Sequence, residues 1–238
     1  MAEPRDVGLI IAAAGSGVRM GADVRKPFLT IDGEPMLHLT CHRFAPLEQI
    51  VQRIIVVHPD DLHGWREQWE EKFRPQGVDD YHDIIAGGPT RSDSVWNGLQ
   101  RLGPAVRYVA IHDGARPFTP LPVVRRCIDR ARKTGAAIVA VPVADTLKRA
   151  EGRVIAGTVD RDGLWLAQTP QIFERSLIEK AYQKLRESGN TATDDTQLVE
   201  ALGHPVDVVM GSTLNIKITT PDDLTLAWGI KEFGRLDG

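Results

Sequence analysis

The chain has 238 residues, 42% of them hydrophobic and 26% charged, with a formal net charge of −3. That length can bury a full core, so residues 1–238 are read as a single domain carrying a protruding element. The balance of charge gives no basic field to hold a nucleic acid, and no apolar run reaches the roughly 18 residues that span a bilayer. Cys41 and Cys127 stand isolated in helix-patterned segments, as reduced core thiols do. Residues 1–6 are too polar and too short for a secretory signal, so a cytoplasmic protein is expected, with neither nucleic acid nor membrane as partner.

Residues 7–11 form a continuous apolar run suited to a strand covered on both faces. The chain then breaks into small residues, including Ala13, Ala14, Gly15 and Gly17, whose side chains do not keep a ligand from the backbone N–H groups. Arg19 and Lys26 follow where they can neutralise the same anion, so residues 9–29 read as a triphosphate cradle. This is not a Walker loop, because Lys26 lies beyond the required spacing and is followed by Pro27. Nor is it a complete dinucleotide fingerprint, because Met20 stands at the third glycine and His58-Pro59 follow the second strand where an acid is needed. The plainer alternative is a strand-to-helix turn with two solvated cations.

Next come a helix over 35–44 with Pro35 in its first turn, a strand over 53–57, and a helix over 60–73. Trp65 and Trp69, four apart on that helix, form a packing stripe rather than a stacking platform. A strand over 83–86, a helix over 92–102, a strand over 108–111, a helix over 122–133 and a strand over 136–141 continue the alternation. Such alternation predicts a Rossmann-like α/β fold: an open, mostly parallel sheet with helices on both faces. Over 142–171 the periodicity changes to short β-like pieces, 145–148 and 153–159, punctuated by Gly152, Gly157 and Gly163. They read as a β-arm standing off the sheet, whose apolar Leu164, Trp165 and Leu166 need a second copy of the chain to cover them. Helices over 175–188 and 194–202, a strand over 206–209, the segment 215–219 and a final helix from Pro221 complete the chain.

The hexapeptide from His112 to Pro117 follows a strand, where open α/β sheets bind ligands. Asp113 there either holds Mg²⁺ against a triphosphate, with Arg116 fixing it or meeting a second anion, or serves as a helix cap or turn residue. The loop 86–94 is a candidate base pocket built on Gly88 and on Ser94 in the first helical turn. In the plainer reading Ser92 is an N-cap and the glycines an ordinary loop. His58 and His112 lack a second ligand at metal spacing and are read as structural.

LIIAAAGSGVRM with Lys26, AGGPTRSDSV, HDGARP, ADTLKR, VDRDGLWLAQTPQ, TDDTQLVE and GSTLNIKITTPDDL occur in this order over nearly the whole chain. Together they resemble the 2-C-methyl-D-erythritol 4-phosphate cytidylyltransferases. The resemblance implies a homodimer that joins CMP from CTP to the polyol phosphate, releases pyrophosphate and requires Mg²⁺, as a step of non-mevalonate isoprenoid precursor synthesis. It implies that Ala13, Ala14, Gly15 and Gly17 cradle the triphosphate of CTP, that Arg19 and Lys26 stabilise charge on the α-phosphate and leaving group, and that Gly88 and Ser94 read cytosine. Asp113 then binds the metal. Arg116, Thr146, Arg161, Thr193 and Lys217 resemble the polyol-phosphate side, with Lys217 also near the reacting phosphate and Arg161 reaching across from the partner's arm. Two positions depart from the family pattern: Pro27 stands where many members have glutamine, and Leu214 where some place a second metal-associated aspartate. The latter leaves the metal with Asp113, phosphate oxygens and water. Two other readings remain, a relative acting on another polyol phosphate such as ribitol 5-phosphate, and a catalytically idle nucleotide-binding module, against which the cations and Asp113 count.

Overall fold

The computed structural model describes residues 3–15, 29–73, 83–188, 192 and 194–237, so Gly17, Arg19, Lys26 and Thr193 lie outside the described residues. The strands in chain order are β1 (Val7–Ala13), β2 (Thr30–Ile31), β3 (Glu34–Pro35), β4 (Ile50–Val57), β5 (Asp83–Ala86), β6 (Tyr108–Asp113), β7 (Ala136–Pro142), β8 (Leu147–Glu151), β9 (Val154–Val159), β10 (Trp165–Glu174) and β11 (Asp207–Met210). The α-helices are α1 (Met36–Phe44), α2 (Leu62–Gln68), α3 (Arg91–Leu99), α4 (Leu121–Thr134), α5 (Arg175–Ser188), α6 (Asp195–Glu200) and α7 (Pro221–Phe233).

Seven strands form one sheet in the order β11-β7-β10-β6-β1-β4-β5, parallel throughout except for β10. β1 is buried on both faces, as its unbroken apolar run requires. Leu9 and Ile11 pack with Leu37, Cys41 and Phe44 of α1, Trp65 of α2 and Val124 of α4, whereas Ile10 packs with Val95 and Leu99 of α3 and Ile178 and Tyr182 of α5. Trp69 joins Trp65 in the first of these layers, so both tryptophans are core, and both cysteines are buried thiols outside any disulfide. The chain winds from β1 out to β4 and β5 and then returns to β6 on the other side of β1. That reversal opens a crevice between the carboxyl ends of β1 and β6, the usual ligand position in such sheets.

Several expectations need correction. The arm is shorter than 142–171. Its free-standing part is the β8–β9 ribbon, and the return limb β10 runs back into the sheet as its antiparallel strand between β7 and β6. Pro170 within a half-exposed run hides that strand from a sequence reading. The ladder to β7 jumps from Ala167 to Gln171, and this bulge places the proline where no ladder N–H is needed. The predicted helix 60–73 is helical in three forms, with a 3-10 turn at Pro59–Asp61, α2, and a π turn at Trp69–Phe73. The N-cap of α3 is Thr90 rather than Ser92, in a capping box with Asp93. The hairpin β2–β3 was not foreseen; Asp32 and Gly33, with φ of 53° and 77°, make its turn. Segment 215–219 is not a strand; it is held by the side-chain bonds of Asn215 and Arg116 and by a backbone bond from the Ile218 N–H to the Ala115 carbonyl.

Candidate active site

Three loops meet at the carboxyl edge of the sheet, and the absence of side chains lets them touch. A Cβ on Gly87 would lie 2.4 Å from the Ala14 Cβ, and one on Gly114 would lie 2.9 Å from the Ala13 Cβ. The loop after β1 is thereby pressed against those after β5 and β6, while a Cβ on Gly15 would meet nothing within 4 Å among the described residues. Ser94 is buried at the base of the second loop, accepting from the Gly88 N–H at 3.1 Å and donating to the Thr90 carbonyl at 2.9 Å. Its hydroxyl therefore keeps one acceptor lone pair.

Asp113 ends β6, beside its ladder partner Ala12 of β1. Its Oδ2 lies 2.9 Å from Lys217 Nζ and 3.4 Å from Arg116 Nε, and its Oδ1 lies 3.5 Å from Arg91 Nε. Burial alone would raise this carboxyl, but Arg91, Lys217 and Arg116 hold it well below the usual carboxylate range. This buried residue at the strand end is thus an anion facing cations from the start of α3, the turn after β6 and the segment 215–219. Arg91 is tied from behind by Asp195 of α6, Nη2 to Oδ2 at 2.8 Å, and the Tyr182 hydroxyl donates to the other oxygen of Asp195. Burial lowers and both carboxylates raise the Arg91 pKa, with a net rise that keeps it charged.

His112, next to Asp113, is fully buried, and its neighbours fix its tautomer. Nε2 faces the Arg116 carbonyl at 3.1 Å and must donate, so Nδ1 accepts the Thr169 hydroxyl at 3.0 Å, which in turn accepts from the Asp113 N–H at 3.1 Å. Thr169 reaches this position because it lies in the β10 bulge. Burial lowers the His112 pKa to about 4 from an ordinary 6.5. An imidazole neutral when folded and protonated when unfolded contributes stability that is whole above pH 6.5 and is lost as pH falls toward 4. The loss is about 3 kcal/mol. Urea unfolding across that range should show His112→Gln with a flatter pH dependence than the wild type, and an equal slope in both would refute this account.

Lys217 reaches Asp113 because Asn215 is pinned. The Asn215 amide donates to Thr169 O at 2.9 Å and Gln168 Oε1 at 3.2 Å, its Oδ1 accepts from the Thr119 hydroxyl at 2.8 Å, and its backbone carbonyl accepts from Arg116 Nη1 at 2.7 Å. Asn215→Leu keeps the volume and the backbone carbonyl but strands the Thr169 carbonyl, Gln168 Oε1 and the Thr119 hydroxyl. We expect a stability loss of about 2–4 kcal/mol in thermal unfolding, and a kcat that falls more than the KM for nucleotide rises.

The structure thus gathers Ala13, Ala14, Gly15, Gly88, Ser94, Asp113, Arg116 and Lys217 at one edge of the sheet. Thr146 and Arg161 lie exposed on the arm, where Arg161 Nη1 donates to the Ala144 carbonyl. Among the described residues no group of three His, Cys, Asp or Glu side chains could cage a metal, and no helix is long and apolar enough to cross a membrane. A hard cation that takes most of its oxygens from phosphate and water nevertheless fits Asp113, whose Oδ1 meets only the long approach of Arg91 among the contacts described.

The family model of the 2-C-methyl-D-erythritol 4-phosphate cytidylyltransferases (IspD) matches residues 7–232. The chain belongs to this family. It is 44% identical over 231 residues to the 2-C-methyl-D-erythritol 4-phosphate cytidylyltransferase of Syntrophus aciditrophicus, covering 95% of this chain and 97% of that one. The match to the bifunctional enzyme IspD/IspF of Desulfotalea psychrophila is 42% identical over 92% of this chain, which spans 55% of that longer protein. Among solved structures, the 4-diphosphocytidyl-2C-methyl-D-erythritol synthase of Anaerococcus prevotii superposes with a TM-score of 0.82 at 32% identity, covering 96% of each chain.

For this cytidylyltransferase, the sequence reading missed Arg91, Asp195, Thr169 and Asn215. All four lie inside recognised motifs, but only the fold shows what each touches. The unassigned arginine between Gly88 and Ser94, and the polar residues of TPQ and NIK, were the available signals.

Proposed function

We propose that this chain transfers CMP from CTP to 2-C-methyl-D-erythritol 4-phosphate, forming 4-diphosphocytidyl-2-C-methyl-D-erythritol and pyrophosphate, and that it works as a cytoplasmic, Mg²⁺-dependent homodimer. Membership of the family supports the reaction. The observation that carries it in the site is Lys217 at 2.9 Å from Asp113, with Arg91 and Arg116 beside them, at the edge of the sheet where β1 gives way to the small-residue loop.

In the reaction an oxygen of the polyol phosphate attacks the α-phosphorus of CTP. The new O–P bond forms as the bond to the β-phosphate oxygen breaks, and pyrophosphate leaves with the bonding pair. The monoester is already an anion, so no general base is required; the difficulty is bringing two anions into line. Lys217 and Arg116 meet the incoming phosphate, and Arg19 and Lys26 meet the α-phosphate and leaving group. Asp113 would hold Mg²⁺, which when bound neutralises triphosphate charge. The remaining lone pair of Ser94 suits a donor such as the cytosine amino group and repels the carbonyl that uracil carries there. Thr193, Thr146 and Arg161 complete the polyol-phosphate side. Arg161 comes from the partner, because the arm exposes apolar surface, Val154 at 73% and Ile155 at 64%, that a second copy would cover.

The test is pyrophosphate release with CTP and Mg²⁺, offering 2-C-methyl-D-erythritol 4-phosphate and ribitol 5-phosphate in parallel, with ATP, GTP and UTP as controls. Release with CTP and the methylerythritol compound alone is expected. Release only with ribitol 5-phosphate would keep the chemistry and replace the acceptor, and silence with every pair would leave a nucleotide-binding module.

A further inference from the structure

We infer that the buried carboxylate of Asp195 sets how readily Asp113 accepts a divalent cation, by holding the Arg91 guanidinium between two carboxylates. The inference rests on the proposed role of Asp113 as the metal-binding group. Asp195 is fully buried and its described contact toward the site is with Arg91; it acts through Arg91 and is a positioning residue.

The two contacts of Arg91 are unequal. Nη2 makes a charge-assisted hydrogen bond of 2.8 Å to Asp195 Oδ2, whereas Nε stands 3.5 Å from Asp113 Oδ1, too far for a good one. Asp195 has no solvent exposure, and Tyr182, which donates to it, is 1% exposed and stacked on Trp96 with ring centroids 6.2 Å apart. The anchor behind Arg91 is therefore rigid, and it keeps the guanidinium from closing onto Oδ1. Lys217 and Arg116 both approach Oδ2, so Oδ1 is the oxygen left for a cation. A positive charge 3.5 Å from that oxygen competes with any cation arriving there. Asp195 reduces the competition by taking the stronger bond and by offsetting the Arg91 charge.

This arrangement predicts a reversal that a purely structural role does not. Asp195→Asn keeps the shape and can still bond Tyr182, but it releases Arg91 to close on Asp113, so metal becomes harder to bind. Arg91→Gln combined with Asp195→Asn removes both charges and leaves Oδ1 less contested than in the wild type. The experiment is calorimetric titration of CTP over a series of Mg²⁺ concentrations, without polyol phosphate so that nothing turns over, with thermal unfolding of each variant in parallel. Asp195→Asn should need about tenfold more Mg²⁺ to reach its limiting CTP affinity. The double variant should return to the wild-type requirement or below it.

A single variant indistinguishable from wild type would overturn the inference, as would a double variant no better than the single. If Asp195→Asn fails to fold, the double variant, which leaves neither charge unpaired, decides alone: a requirement above wild type overturns the proposal, and one at or below it supports it. A wild type whose CTP affinity ignores Mg²⁺ would overturn the metal role of Asp113 itself, and this inference with it.

Discussion

Lys217→Ala is expected to lower kcat by about 10²–10³ while leaving the unfolding midpoint close to that of the wild type. The two halves of this expectation have separate grounds. The Lys217 side chain is 42% exposed in the middle of the pinned 215–219 segment, so truncating it leaves no cavity. Asp113 would still face Arg91 and Arg116, so its carboxylate would not become a buried charge without a partner. What is lost is a fixed ammonium where two phosphates must approach one another, and preorganised charge of this kind acts most strongly in the transition state. Lys217→Arg should recover only part of the rate, because a planar guanidinium cannot take the place of a compact ammonium without moving. Steady-state rates at saturating CTP and polyol phosphate, measured beside thermal unfolding, check both halves. Turnover near wild type in the alanine variant would remove Lys217 from the chemistry.

The sequence made the ends of the strands legible but not the ties between them. β1 could be read because a strand buried on both faces is apolar at every position, and Asp113 because a carboxylate follows directly on such a strand. Lys217 lies far along the chain from Asp113, and their meeting depends on Asn215, whose amide is spent on β10. No local pattern announces that, since the bonds of an asparagine to distant backbone leave no period in the sequence. β10 was missed for a related reason. Its outer half lies on the arm, its inner half is core, and the bulge between them carries Pro170, so neither alternation nor a continuous apolar run survives across it. Arg91 and Asp195 were in plain view as charged residues near recognised loops. Only the packing of α6 beside α3 and α5 shows that one is the tether of the other. The departure at Leu214 was legible, and it is consistent with Asp113 being the carboxylate of the described site.

Mixing two inactive variants, Lys26→Ala and Arg161→Ala, should restore activity if the arm completes the neighbour's site. Arg161 lies exposed at the base of the β8–β9 ribbon, and its described bond, to the Ala144 carbonyl, stays within the arm. Nothing in that position carries it toward its own Asp113, whereas Leu164, Trp165 and Leu166 lie exposed close to it in the chain, and Val154 and Ile155 lie exposed at the far tip of the ribbon. An apolar ribbon of this kind is expected to pair with its symmetry mate, and pairing would carry the arm's polar residues to the other subunit. Each homodimer then lacks one required cation at both sites. A mixed dimer carries both defects at one site and neither at the other. Random exchange at equal concentrations therefore predicts about one quarter of wild-type turnover, appearing at the rate of subunit exchange rather than at once. Exchange confirmed by mass or fluorescence without any recovery would mean that each chain builds its site alone, and the exposed face of the arm would then serve assembly without serving catalysis.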